Sequence, residues 1–305
     1  VFVGPAEELK VLAIALAALA AVAMSFGAQF QNDAVSERHK SKERGRGSLN
    51  LKQVASLLIR PRWLSGLGMM TLGIVLQLAA LSLAPLIVVQ PIGAIALIIT
   101  PLLNVRKTKT KLDRATWLAI GLTTFGIGTF VAQATSVAHE SVLTDDDLRT
   151  VLGLLGVLIV GFSIWFFTLG KRARALTFVL GAGVLYGFVA TLAKVVIQRS
   201  YQGQFEWLTL FCLLALIGAT ALGGWFVQNA YASGPPDLVI AGLTVIDPMV
   251  AVSIAIIVLG EAKQASILVA GGFVLSALLA ISGVFMLSKV HPELAPKPDS
   301  KGTAK

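Results

Sequence analysis

Apolar residues in this chain fall into nine long runs, 11–30, 63–83, 85–103, 116–135, 150–169, 176–197, 208–230, 238–259 and 266–288, separated by short polar segments. Each is close to the roughly 20 apolar residues that a helix needs to cross a hydrocarbon core. Within the runs the faces are nearly uniform in hydropathy, so periodicity does not say which side of a helix looks inward. The pattern predicts an all-α integral membrane protein of about nine transmembrane helices. The first run reads as an uncleaved helix. Glu7 and Glu8 stand where a signal peptide carries a basic cluster, and Gln29 to Asp33 offers no small-residue cleavage site.

Composition narrows the class. Hydrophobic residues make up 56% of the chain and charged residues 13%, with a mean hydropathy of +0.81. That leaves too little polar surface for a soluble enzyme, a disordered chain or a disulfide-built module. The single cysteine, Cys212, lies in an apolar run and forms no intrachain disulfide. The net charge of +9 is distributed unevenly. If the 31–62 loop is cytoplasmic, the inside segments hold twenty Lys and Arg, and the outside segments hold four: Lys10, Arg149, Arg199 and Lys263. By the positive-inside rule the N-terminus is expected outside and the C-terminus inside a plasma (inner) membrane. Trp63, Trp117 and Trp207 stand at span edges, where indoles favour the interface. The basic segment 36–50 within the cytoplasmic 31–62 loop is read as attracting anionic lipid heads, with no nucleic-acid partner expected. The tail 289–305 reads as disordered.

The chain also repeats itself. Residues 77–85 read QLAALSLAP and residues 228–236 read QNAYASGPP, each with a glutamine ending a span and a proline eight residues on. The following spans carry Pro91 and Pro248, and a Gly-rich apolar helix closes each half. The expected organisation is one transporter domain over 1–288, with four-helix repeats at 11–135 and 176–288 flanking a central helix at 150–169. Four crossings and one intervening helix make the second repeat inverted relative to the first, an arrangement suited to alternating access.

These residues resemble a known family. LSLAPLIVVQPIGAI at 81–95 is similar to the third-helix signature of the drug/metabolite transporter superfamily, and most similar to its NIPA-type magnesium-transporter branch. AYASGPPDLVIAGLTVIDPMVAVSIAIIVLGE at 230–261 resembles that superfamily's repeated Ala, Pro and Gly-Glu helix. Nine spans with the N-terminus outside resemble the NIPA-type layout more than the ten-span EamA type, over nearly the whole chain, 11–288. The resemblance implies a carboxylate in the second span, where TLGIVLQ at 71–77 instead carries Ile74. That departure places a small solute ahead of magnesium among the expected cargoes.

Ionisable groups inside spans are costly and point to function. Asp247 lies about ten residues into the 238–259 run and precedes Pro248. It is the expected coupling or binding carboxylate and the one expected metal ligand, with helix breaks expected at Pro91 and Pro248. Lys194, near the outer end of its span, is expected to snorkel to the headgroups, with a counter-ion or anion-site role as the other reading. The amides Gln29, Gln77, Gln90, Gln228 and Asn229 and the phenol of Tyr186 are expected along a route, or as hydrogen-bond links between helices. Asp237 and Glu261 bracket the eighth span and read as solvated charges, with a helix-end or gate role as the other reading. Gly183 and Gly187 form a GxxxG read as internal packing, with a homodimer left open. His39, His139 and His291 show no metal-ligand spacing, and no Walker A, GxSxG or HExxH is present. Neither enzyme activity nor a cofactor is expected. The expected function is secondary transport of a small solute by alternating access. The alternatives are a NIPA-like divalent-cation permease and a non-transporting or lipid-handling (flippase-like) subunit. The expected partners are the lipid bilayer and the transported solute or cation.

Overall fold

The computed structural model describes residues 5–41, 61–96, 98–99, 114–139, 142–169, 175–233 and 236–290. Among these the protein is an all-α integral membrane protein with no strand. The nine helices given bounds among the described residues are α1 (Pro5–Ser41), α2 (Pro61–Leu83), α3 (Leu86–Gly93), α4 (Arg114–Val137), α5 (Asp145–Leu169), α6 (Ala175–Tyr201), α7 (Trp207–Ser233), α8 (Pro236–Ile257) and α9 (Ile267–Val290). Seven of them are long and apolar enough to cross a membrane. The other two are α3, with eight residues, and α8, whose apolar stretch is counted over Gly242–Ile257.

Local chemistry sets the starts. Pro61 and Pro236 occupy first-turn positions, where the missing N–H costs nothing. Before α5, Thr144 and Asp147 cap each other: the Thr144 N–H donates to Asp147 Oδ2 at 2.8 Å, and the Asp147 N–H to Thr144 Oγ1 at 3.3 Å. Asp145, Asp146 and Asp147 then place negative charge at the positive end of the helix dipole. The first helix runs past the predicted 11–30 span to Ser41, because hydropathy does not register a polar helical extension. Most of the basic loop (42–60) and the tail from 291 lie outside the described residues.

Large apolar side chains such as Val75, Leu118, Phe125, Val157, Ile217, Leu268 and Leu275 are exposed all around the bundle. An apolar exterior of this extent suits a hydrocarbon solvent. Inside, α1 pairs with α2, α6 with α7, and α4 with α9. At the centre α3 packs on α1, α4 and α8, while α8 also packs on α6. The α4–α9 contact is backbone-close: a methyl group on Gly126 would stand 2.5 Å from the Ala280 nitrogen. Of the seven long spans α6 is the most enclosed, and α5, which leans on α6 and α7, is the least.

Candidate functional site: a cavity at the centre of the bundle

Asp247 opens onto a cavity of about 490 Å³ between the two halves of the chain. The first half contributes Met24 from α1, Gln77 from α2, and Gln90 and Gly93 from α3; the second contributes Tyr186 from α6 with Thr244, Asp247 and Pro248 from α8. Among the described residues Asp247 is the only charged side chain on the wall. Its Oδ1 is buried without a hydrogen-bond partner. Gln90 precedes Pro91 in α3 and Asp247 precedes Pro248 in α8, so the paired prolines bring one amide and one carboxylate to the same space.

The position of α8 is fixed from behind. A methyl on Gly183 would stand 2.7 Å from Ile246 Cβ, and one on Gly187 would stand 2.6 Å from Val250 Cβ and 2.9 Å from the Asp247 carbonyl oxygen. The GxxxG is thus an internal seat for the Asp247 turn. The ring of Tyr186, between these glycines, lies against Gly223 of α7.

Above the cavity the chain breaks at Ala84–Pro85, between α2 and α3. Helix ends leave backbone groups without intrahelical partners, and here two buried charges supply them. Lys194 Nζ donates to the carbonyls of Leu81 and Ala84 at 2.8 and 2.9 Å. The N–H groups of Leu86 and Ile87 donate to Glu261 Oε1 and Oε2 at 2.9 and 2.8 Å. Each charge also matches the helix dipole at its end. Lys194 is 2% exposed and Glu261 3%, which corrects the snorkelling lysine and the solvated glutamate. The route of Glu261 inward is local. Gly260, with φ of 67°, ends α8 in a left-handed turn, and the Glu261 N–H donates to the Ala255 carbonyl at 2.9 Å. Lys10 of α1 likewise covers the end of α4, donating to the carbonyls of Thr135 and Ala138 at 2.9 and 3.0 Å.

Other expected residues lie elsewhere. Gln228 is exposed on the outside of α7, although its repeat counterpart Gln77 lines the cavity. Asn229 Nδ2 donates to the Trp225 carbonyl of its own helix at 2.7 Å. Gln29 is half-buried on α1 and is not on the cavity wall. The side chain of Asp237 lies outside the described residues. Of the two expected helix breaks, Pro91 lies inside α3 two residues before its end, and α8 runs unbroken through Pro248. The interruption sits at Pro85 instead, because the bend at Ala84 is where buried partners cover both backbone ends.

The sequence profile of the Magnesium transporter NIPA family matches residues 9–167, just over half of the chain. The chain belongs to this family. An uncharacterized protein of Corynebacterium glutamicum is 28% identical over 221 residues, covering 72% of this chain and 76% of that protein. The Arabidopsis thaliana protein named "Probable magnesium transporter NIPA9" is 25% identical over 226 residues, covering 70% of this chain but 65% of its own length, slightly under two thirds. No solved structure matches.

The NIPA match covers α1 to α5 and therefore Gln77 and Gln90, whereas Tyr186, Lys194, Asp247 and Glu261 come from the half beyond it. Ile74, where the NIPA resemblance implies a carboxylate, is 52% exposed on the outer face of α2. A carboxylate at 74 would point away from the cavity, and Gln77 is the polar α2 side chain on its described wall. Among the described residues no three His, Cys, Asp or Glu side chains form a metal cluster. The described wall offers one carboxylate, on Asp247, beside the side chains of Gln77, Gln90, Thr244 and Tyr186.

Proposed function

We propose that the protein carries magnesium ions across a plasma membrane through the Asp247 cavity. The observation that carries this reading is a carboxylate with a buried, unpartnered oxygen on the wall of a central cavity that holds no other charge among the described residues. Magnesium gives up its waters reluctantly and is commonly held by one or two carboxylates. Six waters occupy roughly 180 Å³ of liquid volume, and the cavity of about 490 Å³ accommodates such an ion with its shell. A single charge with neutral dipoles binds a hydrated ion weakly enough to release it. Family membership favours the cation over the small organic solute that the sequence placed first.

The rest of the reading follows from the chain's layout. Alternating access between two inverted four-helix units is supported by the matched pairings: α1 with α2 as α6 with α7, and α1 with α3 as α6 with α8. The skew of Lys and Arg supports an N-terminus outside and a C-terminus in the cytoplasm. The test is flux. Purified protein in liposomes loaded with a magnesium-sensitive dye takes up magnesium faster as the interior is made more negative. Folded protein that carries no magnesium at any potential, or that carries organic cations in its place, overturns the proposal.

A further inference from the structure

The Ala84–Pro85 break sits directly over the cavity. Leu81 and Ala193, which line the cavity, adjoin the two partners of the break: Leu81 offers its carbonyl to Lys194, and Ala193 precedes Lys194 in the chain. From Ala84 through Val89 the side chains are buried, with Ala84, Leu86, Ile87, Val88 and Val89 at 0% exposure. This plug fills the end of the bundle that the charge skew places outside. It belongs to the first half of the chain, and both charges that hold it belong to the second.

The plug also carries the cavity amides. Gln77 stands before the break on α2 and Gln90 after it on α3. Lys194 holds the first helix by its last carbonyls, and Glu261 holds the second by its first N–H groups. Glu261 is further tied to the α4 end, where the His139 N–H donates to its carbonyl oxygen at 3.0 Å. Two ionised side chains buried at a helix interruption are costly when an apolar seal would close the same gap. Their hydrogen bonds are directional, however, so a small displacement of α6 breaks the Lys194 pair and one of α8 breaks the Glu261 pair.

We propose that Lys194 and Glu261 are positioning residues that latch an outer gate. Engaged, they close the Ala84–Pro85 plug over the cavity and set Gln77 and Gln90 against Asp247; released, they let the plug move and open the cavity outward. This rests on the transport reading above, but its test reads access and not flux, so the two fail separately.

In a Cys212→Ala background, Ala190→Cys places a thiol on the cavity wall, and Val142→Cys places one on an exposed loop at the plug end. In intact cells, labelling of Val142→Cys by a membrane-impermeant maleimide identifies the face to which the reagent is then applied. With the latch intact, Ala190→Cys labels slowly. Lys194→Met raises that rate about tenfold by shifting the closed population, Glu261→Gln raises it less by keeping one acceptor, and Lys194→Arg restores slow labelling. An unchanged rate in a Lys194→Met protein that elutes as folded overturns the latch. If Lys194→Met does not fold, hydrogen exchange on the unaltered protein decides. A gate requires residues 84–89 to exchange faster than the helical 126–134 stretch of α4, and equal protection overturns the proposal.

Discussion

At the Ala84–Pro85 break both ends of the interrupted backbone are covered by charged side chains reaching from the other half of the chain. At Asp247, within an unbroken helix, a carboxylate oxygen is buried with nothing to accept from. Both regions hold charge inside the membrane, where charge is expensive. The contrast teaches how to divide such charges. Lys194 and Glu261 spend their hydrogen-bonding capacity on the fold. Asp247 keeps its own available, seated by glycines and sharing a cavity with two amides, and that availability is what the proposed magnesium route requires.

Substitutions sharpen this contrast. Asp247→Asn is expected to reduce magnesium flux to the background of empty liposomes while changing stability by less than about 1 kcal/mol, because no partner of Oδ1 is lost. Flux and thermal unfolding measured on one preparation check both halves, and an unfolded variant would place Asp247 with the structural charges. Glu261→Ala is expected to lower stability, which Asp247→Asn does not. It leaves the buried N–H groups of Leu86 and Ile87 without an acceptor, at about 1–3 kcal/mol each, which a fall in detergent unfolding temperature reports.

Gly187→Ala tests the seat between the two regions. Its methyl collides with Val250 and the Asp247 carbonyl, at about 1–3 kcal/mol, and is expected to slow transport by moving α8. Gly121→Ala, with nothing within 4 Å, is the neutral control. The smallest effects separate the paired amides. Gln90→Glu adds a second carboxylate to the cavity and is expected to lower the magnesium concentration for half-maximal flux about tenfold. Gln228→Leu, on an exposed face, is expected to leave it unchanged.

Most of the architecture was legible in the chain because bilayer thickness imposes run length, and nearly every apolar run became a helix. The exceptions are physical. The polar extension of α1 to Ser41 is helical without being hydrophobic, and the third run turns at Ala94–Ile95 after α3, with residues 100–103 of that run outside the described residues. At the cavity, Asp247, Gln77, Gln90 and Tyr186 could be named in advance because polar groups inside spans are rare. Gln228 could not be separated from Gln77, since uniform hydropathy hides which face of a helix turns inward. The roles of Lys194 and Glu261 depend on backbone groups more than a hundred residues away. Only the Leu259-Gly260-Glu261 ending gave a local sign, since Gly260 supplies the turn that sends the carboxylate inward.

The most direct test of the central claim is calorimetric titration of magnesium into the purified protein, with wild type and Asp247→Asn compared in the same detergent. The account predicts one saturable site in the wild type and none in the variant. Equal binding by the two proteins would contradict it.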